Sequence, residues 1–298
     1  MKSAILAFLV LTFGFSLGWA APLATADSTS DDCSAHMQSF NHQYESVVRD
    51  EESRNVANQP LNIQSERNGG ISISTWDKPE FMVTLCKQVA SESDAEGRKI
   101  LAATKLVIGS GTVSVDSPDH NGEYNLNTLL LIKAPRDAQV TMKTENGGIL
   151  VRRFIGTADA SAENGGISLN QSTGKLTVHA QNGGISIQDC NGDVTADVEN
   201  GGLAITLPEQ WQGKGLEAHT HNGGLMIRVP KPFNSGLEIT SSEHVPIVCK
   251  ADVCENAQRA WDNGHRMFRL GNGAMQIHAT TVNGGVVIKD RDRSQETM

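Results

Sequence analysis

The sequence predicts an all-β chain wound as a parallel β-solenoid, a single-domain, β-helix-like stack with Asn-Gly-Gly corners and short helical excursions. Three observations predict it. The triplet Asn-Gly-Gly occurs seven times in 298 residues, starting at Asn68, Asn146, Asn164, Asn182, Asn200, Asn222 and Asn283, and the starts from Asn146 to Asn200 are 18 residues apart. A fixed short period marks a repeat architecture in which each unit stacks on its neighbour. Apolar residues then fall two apart after each triplet, as in Ile149 and Val151, Ile167 and Leu169, Ile185 and Ile187. That is the period of a strand with one buried face. A lone glycine follows (Gly156, Gly174, Gly192), and a second alternating run begins, with Leu176, Val178 and Ala180, then Val194, Ala196 and Val198, facing inward. Glycine twins at every repeat exclude helix.

Each unit therefore holds two short strands and two glycine corners, because glycine and asparagine tolerate the positive φ of a tight turn. Two topologies satisfy this pattern. Asn-Gly between alternating runs is a hairpin signal, but a hairpin meander gives no reason for Asn to recur at one position. In a coil, equivalent positions stack about 4.8 Å apart, so the asparagines can form an amide ladder, and the coil is preferred. Calcium-binding rolls are excluded because the residue two after Gly166 and Gly184 is Ser168 or Ser186, and no carboxylate ladder follows the glycines. A hexapeptide helix fails because the positions six and twelve after Ile167 are Thr173 and His179.

Residues 1–26 read as a signal peptide: Lys2, an apolar stretch from Ala4 to Leu17, then small residues. Residues 27–58 are polar and acidic and are expected to cap the open end of the stack. The solenoid is expected over 59–290. Within it, Ser91 or Ser93 can cap a short helix in 91–105, and strands resume at KLVIGSGTVSVDS and NTLLLIKAP. Two units are stretched, by EQWQGK and by a long excursion over 231–266, in which a short helix is expected around Glu255 to Trp261. Residues 291–298, rich in charge, read as a flexible tail.

An exported chain with five cysteines is expected to be oxidised. Cys249 and Cys254 are close enough in sequence to bridge. Cys33 with Cys86 is one pairing for the remainder and leaves Cys190 as an odd, half-buried turn thiol. The net charge of −9 and the lack of a basic stripe argue against nucleic acid, and no second segment has membrane-spanning length.

The phrases NGGISISTWDKPEFMVTL, LLLIKAPRDAQVTMKTENGGI and GAMQIHATTVNGGVVI, spread over residues 58–290, resemble the bacterial toastrack or putative-adhesin family. The resemblance implies a β-solenoid of the cell envelope, discussed as adhesive or as a sensing scaffold, with no catalytic residues to transfer.

In a coil, residues at one offset from successive triplets become neighbours. His179, Asp197 and His219 then stack on the outward face, beside Glu199 and His221. They are either a zinc-type divalent site or a solvated polar face, and the latter is preferred. Asp159, Glu163, Asp197, Glu199 and Glu217 share that face and supply an alternative function, a polysaccharide-acting enzyme. Solvated acids on a flat sheet lack a cause for the raised pKa such chemistry needs. The preferred expectation is a non-catalytic binding or scaffold protein without cofactor, exported to the periplasm or beyond. Its partner is an envelope or surface component, protein or glycan. The insertions 91–122, 207–215 and 231–266, with Trp211, Phe233 and Trp261, mark the expected contact edge.

Overall fold

The computed structural model describes residues 32–36, 46–119 and 123–291. Residues 1–26, read as a signal peptide, and 292–298 of the tail lie outside the described residues. The described chain is all-β, with two long, mostly parallel sheets of eleven and twelve strands. The first runs, in spatial order, Ser46–Ala57, Glu80–Ser91, Asn125–Ala134, Gly70–Thr75, Ile149–Arg152, Ile167–Asn170, Ile185–Gln188, Leu203–Thr206, Leu225–Val229, Val286–Asp290 and Ile247–Cys249. The second has at its centre Ala138–Thr144, Ile155–Ala162, Thr173–Ala180, Asp193–Asn200, Gly215–Asn222 and Met275–Asn283.

Each unit gives one short strand to the first sheet and one long strand to the second. Ile155–Ala162 and Ile167–Asn170 flank the Asn164 corner yet lie in different sheets. Each pairs in parallel with its counterpart 18 residues on: Ile155↔Thr173 through Ala162↔Ala180, and Ile167↔Ile185 through Asn170↔Gln188. The hairpin alternative is thereby ruled out at these corners. Inward positions predicted from alternation are buried in one continuous core, Ile167, Leu169, Leu176 and Ala180 among them. Each fully buried Leu or Ile contributes about 1.5–3 kcal/mol.

The two glycine positions are needed for different reasons. A Cβ on Gly165 would lie 2.6 Å from the carbonyl carbon of Gly147, one unit back, and closer still to its oxygen. Only a glycine allows the units to approach this closely. At the second corner the left-handed residues are Arg153, Gln171 and Asp189, with φ of 45°, 47° and 53°. The lone glycine sits three residues later, at the start of the long strand. Gly174 has φ +117°, and a Cβ there would meet the backbone of Gly156. The sequence places this turn on the glycine; it falls instead on the polar residue three positions before it, which bears the αL strain.

Residues following that turn fill the corner from inside. Phe154, Ser172 and Cys190 occupy the same position in successive units, and all are buried. Phe154 N–H donates to Ser172 Oγ at 3.1 Å, and Ser172 Oγ donates to Asn170 O at 2.9 Å. The Cys190 thiol donates to Gln188 O at 3.4 Å, the equivalent acceptor.

The N-terminal end departs from the repeat. Ser46–Ala57, within the segment expected to cap the stack, pairs antiparallel with Glu80–Ser91 at the edge of the first sheet. The helix expected in 91–105 spans Asp94–Ala103, and its N-cap Ser93 accepts from Glu96 N–H. Helix and edge strand share a small second core of Val48, Val89, Ile100, Leu101 and Leu126. Lys87 is buried there, paired with Asp50 at 2.8 Å and donating to Leu101 O and Thr104 O, both at 3.3 Å. That lysine satisfies carbonyls at the helix end, as the negative pole of a helix favours. Cys33 bridges to Cys86.

The helix expected around Glu255 to Trp261 is not formed. A 3-10 helix covers Asp252–Asn256, beside the Cys249–Cys254 bridge, and Gln258–Asp262 is a strand paired antiparallel with His265–Leu270. The reversal falls at Asn263-Gly264, both with positive φ. That is the two-residue Asn-Gly hairpin signal, here without a second glycine.

Candidate functional site

The seven asparagines form one unbroken side-chain ladder. Asn146 Nδ2 donates to Asn68 Oδ1, and the pattern repeats from Asn164 to Asn146, Asn182 to Asn164, Asn200 to Asn182, Asn222 to Asn200 and Asn283 to Asn222, at 3.0–3.3 Å. Units separated by long insertions, such as those of Asn222 and Asn283, are thus held in the same register as units 18 residues apart. The ladder is structural, and the outer faces beside it continue in register from unit to unit.

Those faces differ in charge. On the second sheet, His179, Asp197 and His219 lie side by side in register. His179 Nδ1 lies 3.2 Å from Asp197 Oδ1 and its Nε2 lies 3.6 Å from Glu199 Oε1. Both ring nitrogens therefore face carboxylates instead of converging with His219. Among the described residues no group of three or more His, Cys, Asp or Glu is gathered closely enough to hold a metal ion. Glu163 is paired with Lys143 at 3.0 Å. Asp159 and Glu217 share an outward column but stand three strands apart through Thr177 and Thr195. Three strand spacings are about 14 Å, beyond the separation over which two carboxyls cleave a glycosidic bond.

The outer face of the first sheet carries no carboxylate over its six consecutive short strands from Ile149–Arg152 to Val286–Asp290. One outward column reads Arg152, Asn170, Gln188, Thr206, Arg228, Lys289, and the column beside it Leu150, Ser168, Ser186, Ala204, Met226, Val287. All are at least partly exposed. Alternation along each strand gave the inward face from sequence, but the contrast between the two outer faces needs the sheet order as well.

At the far end of this face is an open cleft of about 710 Å³, lined by Glu209, Pro230, Lys231, Lys250, Lys289, Asp290 and Arg291. Lys231 Nζ lies 2.8 Å from Asp252 and 2.7 Å from Asp290. The Asp252 carboxylate, then that of Asp290, raises its pKa. Arg291 pairs with Asp189, the left-handed residue of the third regular corner, and donates to Leu207 O.

The three insertion aromatics separate. Trp211 and Phe233 pack against the core, closing it where units are stretched. Trp261 is 60% exposed on the hairpin edge strand, with the Arg266 guanidinium 5.3 Å from its ring centre. Cys190 is not a reactive thiol: burial pushes its pKa up to about 11, so it stays protonated and inert.

Solved structures similar to this chain include a putative adhesin from Parabacteroides merdae ATCC 43184, at 7% identity and TM-score 0.41, covering 81% of this chain and 96% of that one. A putative cell adhesion protein from Clostridium sporogenes ATCC 15579 matches at 9% identity and TM-score 0.34, covering 82% and 100%. A putative lipid binding protein from Parabacteroides distasonis ATCC 8503 matches at 11% and 0.39, covering 81% and 97%. At these identities and TM-scores the likeness bears on neither ligand nor activity. No family model matches the chain, and no curated protein does. No helix among the described residues is long and apolar enough to cross a membrane.

Proposed function

We propose that this chain is a non-catalytic, exported binding or scaffold protein of the cell envelope, adhesin-like, whose residues 59–290 wind as a parallel β-solenoid behind a signal peptide over 1–26. Residues 27–58 cap one end, and 291–298 form a tail. The observation that carries the reading is the ladder of seven asparagines joined by six side-chain bonds, which keeps the units in register and so builds long continuous faces. Extended faces suit contact with large partners. The two disulfides support an oxidising compartment. The exposed Trp261 beside Arg266 combines two residue types enriched where partners bind, and it makes the 258–270 hairpin the leading contact edge.

The test immobilises the chain over an envelope extract and, separately, incubates it with acidic and neutral polysaccharides. Retention of envelope material that falls with Trp261→Ala, without release of reducing ends, is the expected result. Polysaccharide cleavage abolished by Asp159→Asn or Glu217→Gln would overturn the reading in favour of an enzyme.

A further inference from the structure

Three cations stand in a row at the cleft end of the first sheet. Arg228 is the register partner of Lys289. Lys250 follows one residue after the Cys249↔Ile288 pair, and its N–H donates to Ile288 O at 2.8 Å. The three therefore occupy one outward position on adjacent strands, about 4.8 Å apart. Like charges placed side by side on a sheet destabilise it. None of the three has an ion-pair partner among the described residues, whereas Lys231 and Arg291 beside them are held by Asp252, Asp290 and Asp189. Glu209 is the one other carboxylate lining the cleft. A chain of net charge −9 thus keeps an unneutralised cationic row at the end of its carboxylate-free face.

We propose that this row, with the face leading to it, binds a linear acidic polysaccharide. The proposal rests on the reading of the chain as a binding module and names its ligand. Arg228, Lys289 and Lys250 would take successive carboxylates, Arg through its planar fork and Lys as point charges. Asn170, Gln188 and Thr206, next in the same column, donate to and accept from hydroxyls. The adjacent small and apolar column offers a flat surface to the C–H faces of sugar rings. A nucleic acid fits less well, since its dense phosphate charge would also meet the acidic second sheet. A second copy of the chain, presenting its acidic face, is the competing occupant.

The test titrates the purified chain with polygalacturonate by calorimetry at low salt and at about 0.15 M, where exposed charges are screened beyond roughly 8 Å. Dextran and fully methyl-esterified polygalacturonate are the neutral controls. The triple variant Arg228→Gln, Lys250→Gln, Lys289→Gln is compared with Lys143→Gln, Lys175→Gln on the second sheet. Salt-sensitive binding to polygalacturonate alone is expected, at least tenfold weaker in the triple variant and unchanged in the control pair. The triple variant should also melt no lower than the parent, because a repulsive row is removed. No binding, equal binding of dextran, or equal loss in both variants overturns the proposal. Self-association in sedimentation without polymer, abolished by the triple variant, overturns it in favour of a second copy. If polygalacturonate is not bound while envelope material still is, the ligand assignment falls and the binding-module reading stands.

Discussion

Replacing Asn182 by alanine removes two rungs of the ladder, the bond it donates to Asn164 and the one it accepts from Asn200. A net hydrogen bond is worth about 0.5–1.5 kcal/mol. These amides are exposed, so water replaces the lost partners and the lower half of that range applies. The expected cost is about 1–2 kcal/mol, or roughly 2–4 °C in Tm for a chain of this size. Asn283→Ala removes only the bond to Asn222 and should cost about half as much. Gly183→Ala is a different perturbation. Its Cβ would lie 2.6 Å from the carbonyl carbon of Gly165 and 3.2 Å from the nitrogen of Gly166. Both are backbone atoms that yield only if two units separate. Such overpacking costs about 3 kcal/mol or more when nothing flexible can move. Thermal unfolding followed by circular dichroism, with urea titration as a second probe, ranks the three. The order Gly183→Ala, Asn182→Ala, Asn283→Ala from most to least destabilised is expected. A Gly183→Ala chain within about 0.5 kcal/mol of the parent, the range of an ordinary surface change, would refute the close stacking of units.

Two further outcomes follow from buried groups. Cys190→Ser should be nearly neutral at pH 7, since Ser172 already fills the same corner with the same acceptor geometry, and a thiol reagent should count no reactive cysteine until the chain is unfolded. Because the folded Cys190 pKa is raised to about 11 from a reference of 9.0, its contribution is complete below pH 9 and is lost as pH rises towards 11. The parent should therefore lose about 2–3 kcal/mol more than Cys190→Ser across that window, read from melts at matched pH. Lys87→Met should destabilise the N-terminal end by about 2–4 kcal/mol, since it strips Leu101 O and Thr104 O of a buried donor. Hydrogen exchange localised to Asp94–Ala103 and its neighbouring strands checks this.

Much of the central architecture was legible because two independent periods coincide. The 18-residue spacing gave the units, and alternation within each gave the buried face. Position-specific Asn recurrence correctly favoured stacking over hairpins. Elsewhere the same dipeptide misled by omission: Asn263-Gly264 reverses the chain because no second glycine follows and no ladder neighbour competes for its side chain. Ser46–Ala57 was illegible as a strand because both its faces are largely polar and its partner lies some thirty residues away. The left-handed corner at Arg153, Gln171 and Asp189 was hidden by a glycine three residues on that serves close approach instead. Of the candidate site, His179, Asp197 and His219 are neighbours as register predicted, yet the two ring nitrogens of His179 face the carboxylates of Asp197 and Glu199 instead of converging with His219. The cationic row escaped notice because Arg228, Lys250 and Lys289 are scattered in sequence and meet only through sheet order.

Parallel stacking itself is tested most directly by a distance across the second sheet. Thr141 and Glu217 are outward residues linked in register through Asp159, Thr177 and Thr195. Four spacings of about 4.8 Å place them roughly 19 Å apart, a separation that pulsed electron resonance between spin labels on Thr141→Cys and Glu217→Cys can read. Chain reversal at every triplet would insert a second strand per unit and nearly double that distance, to about 38 Å. A distribution centred near the shorter value is predicted; one near the longer value would contradict the stacking of units.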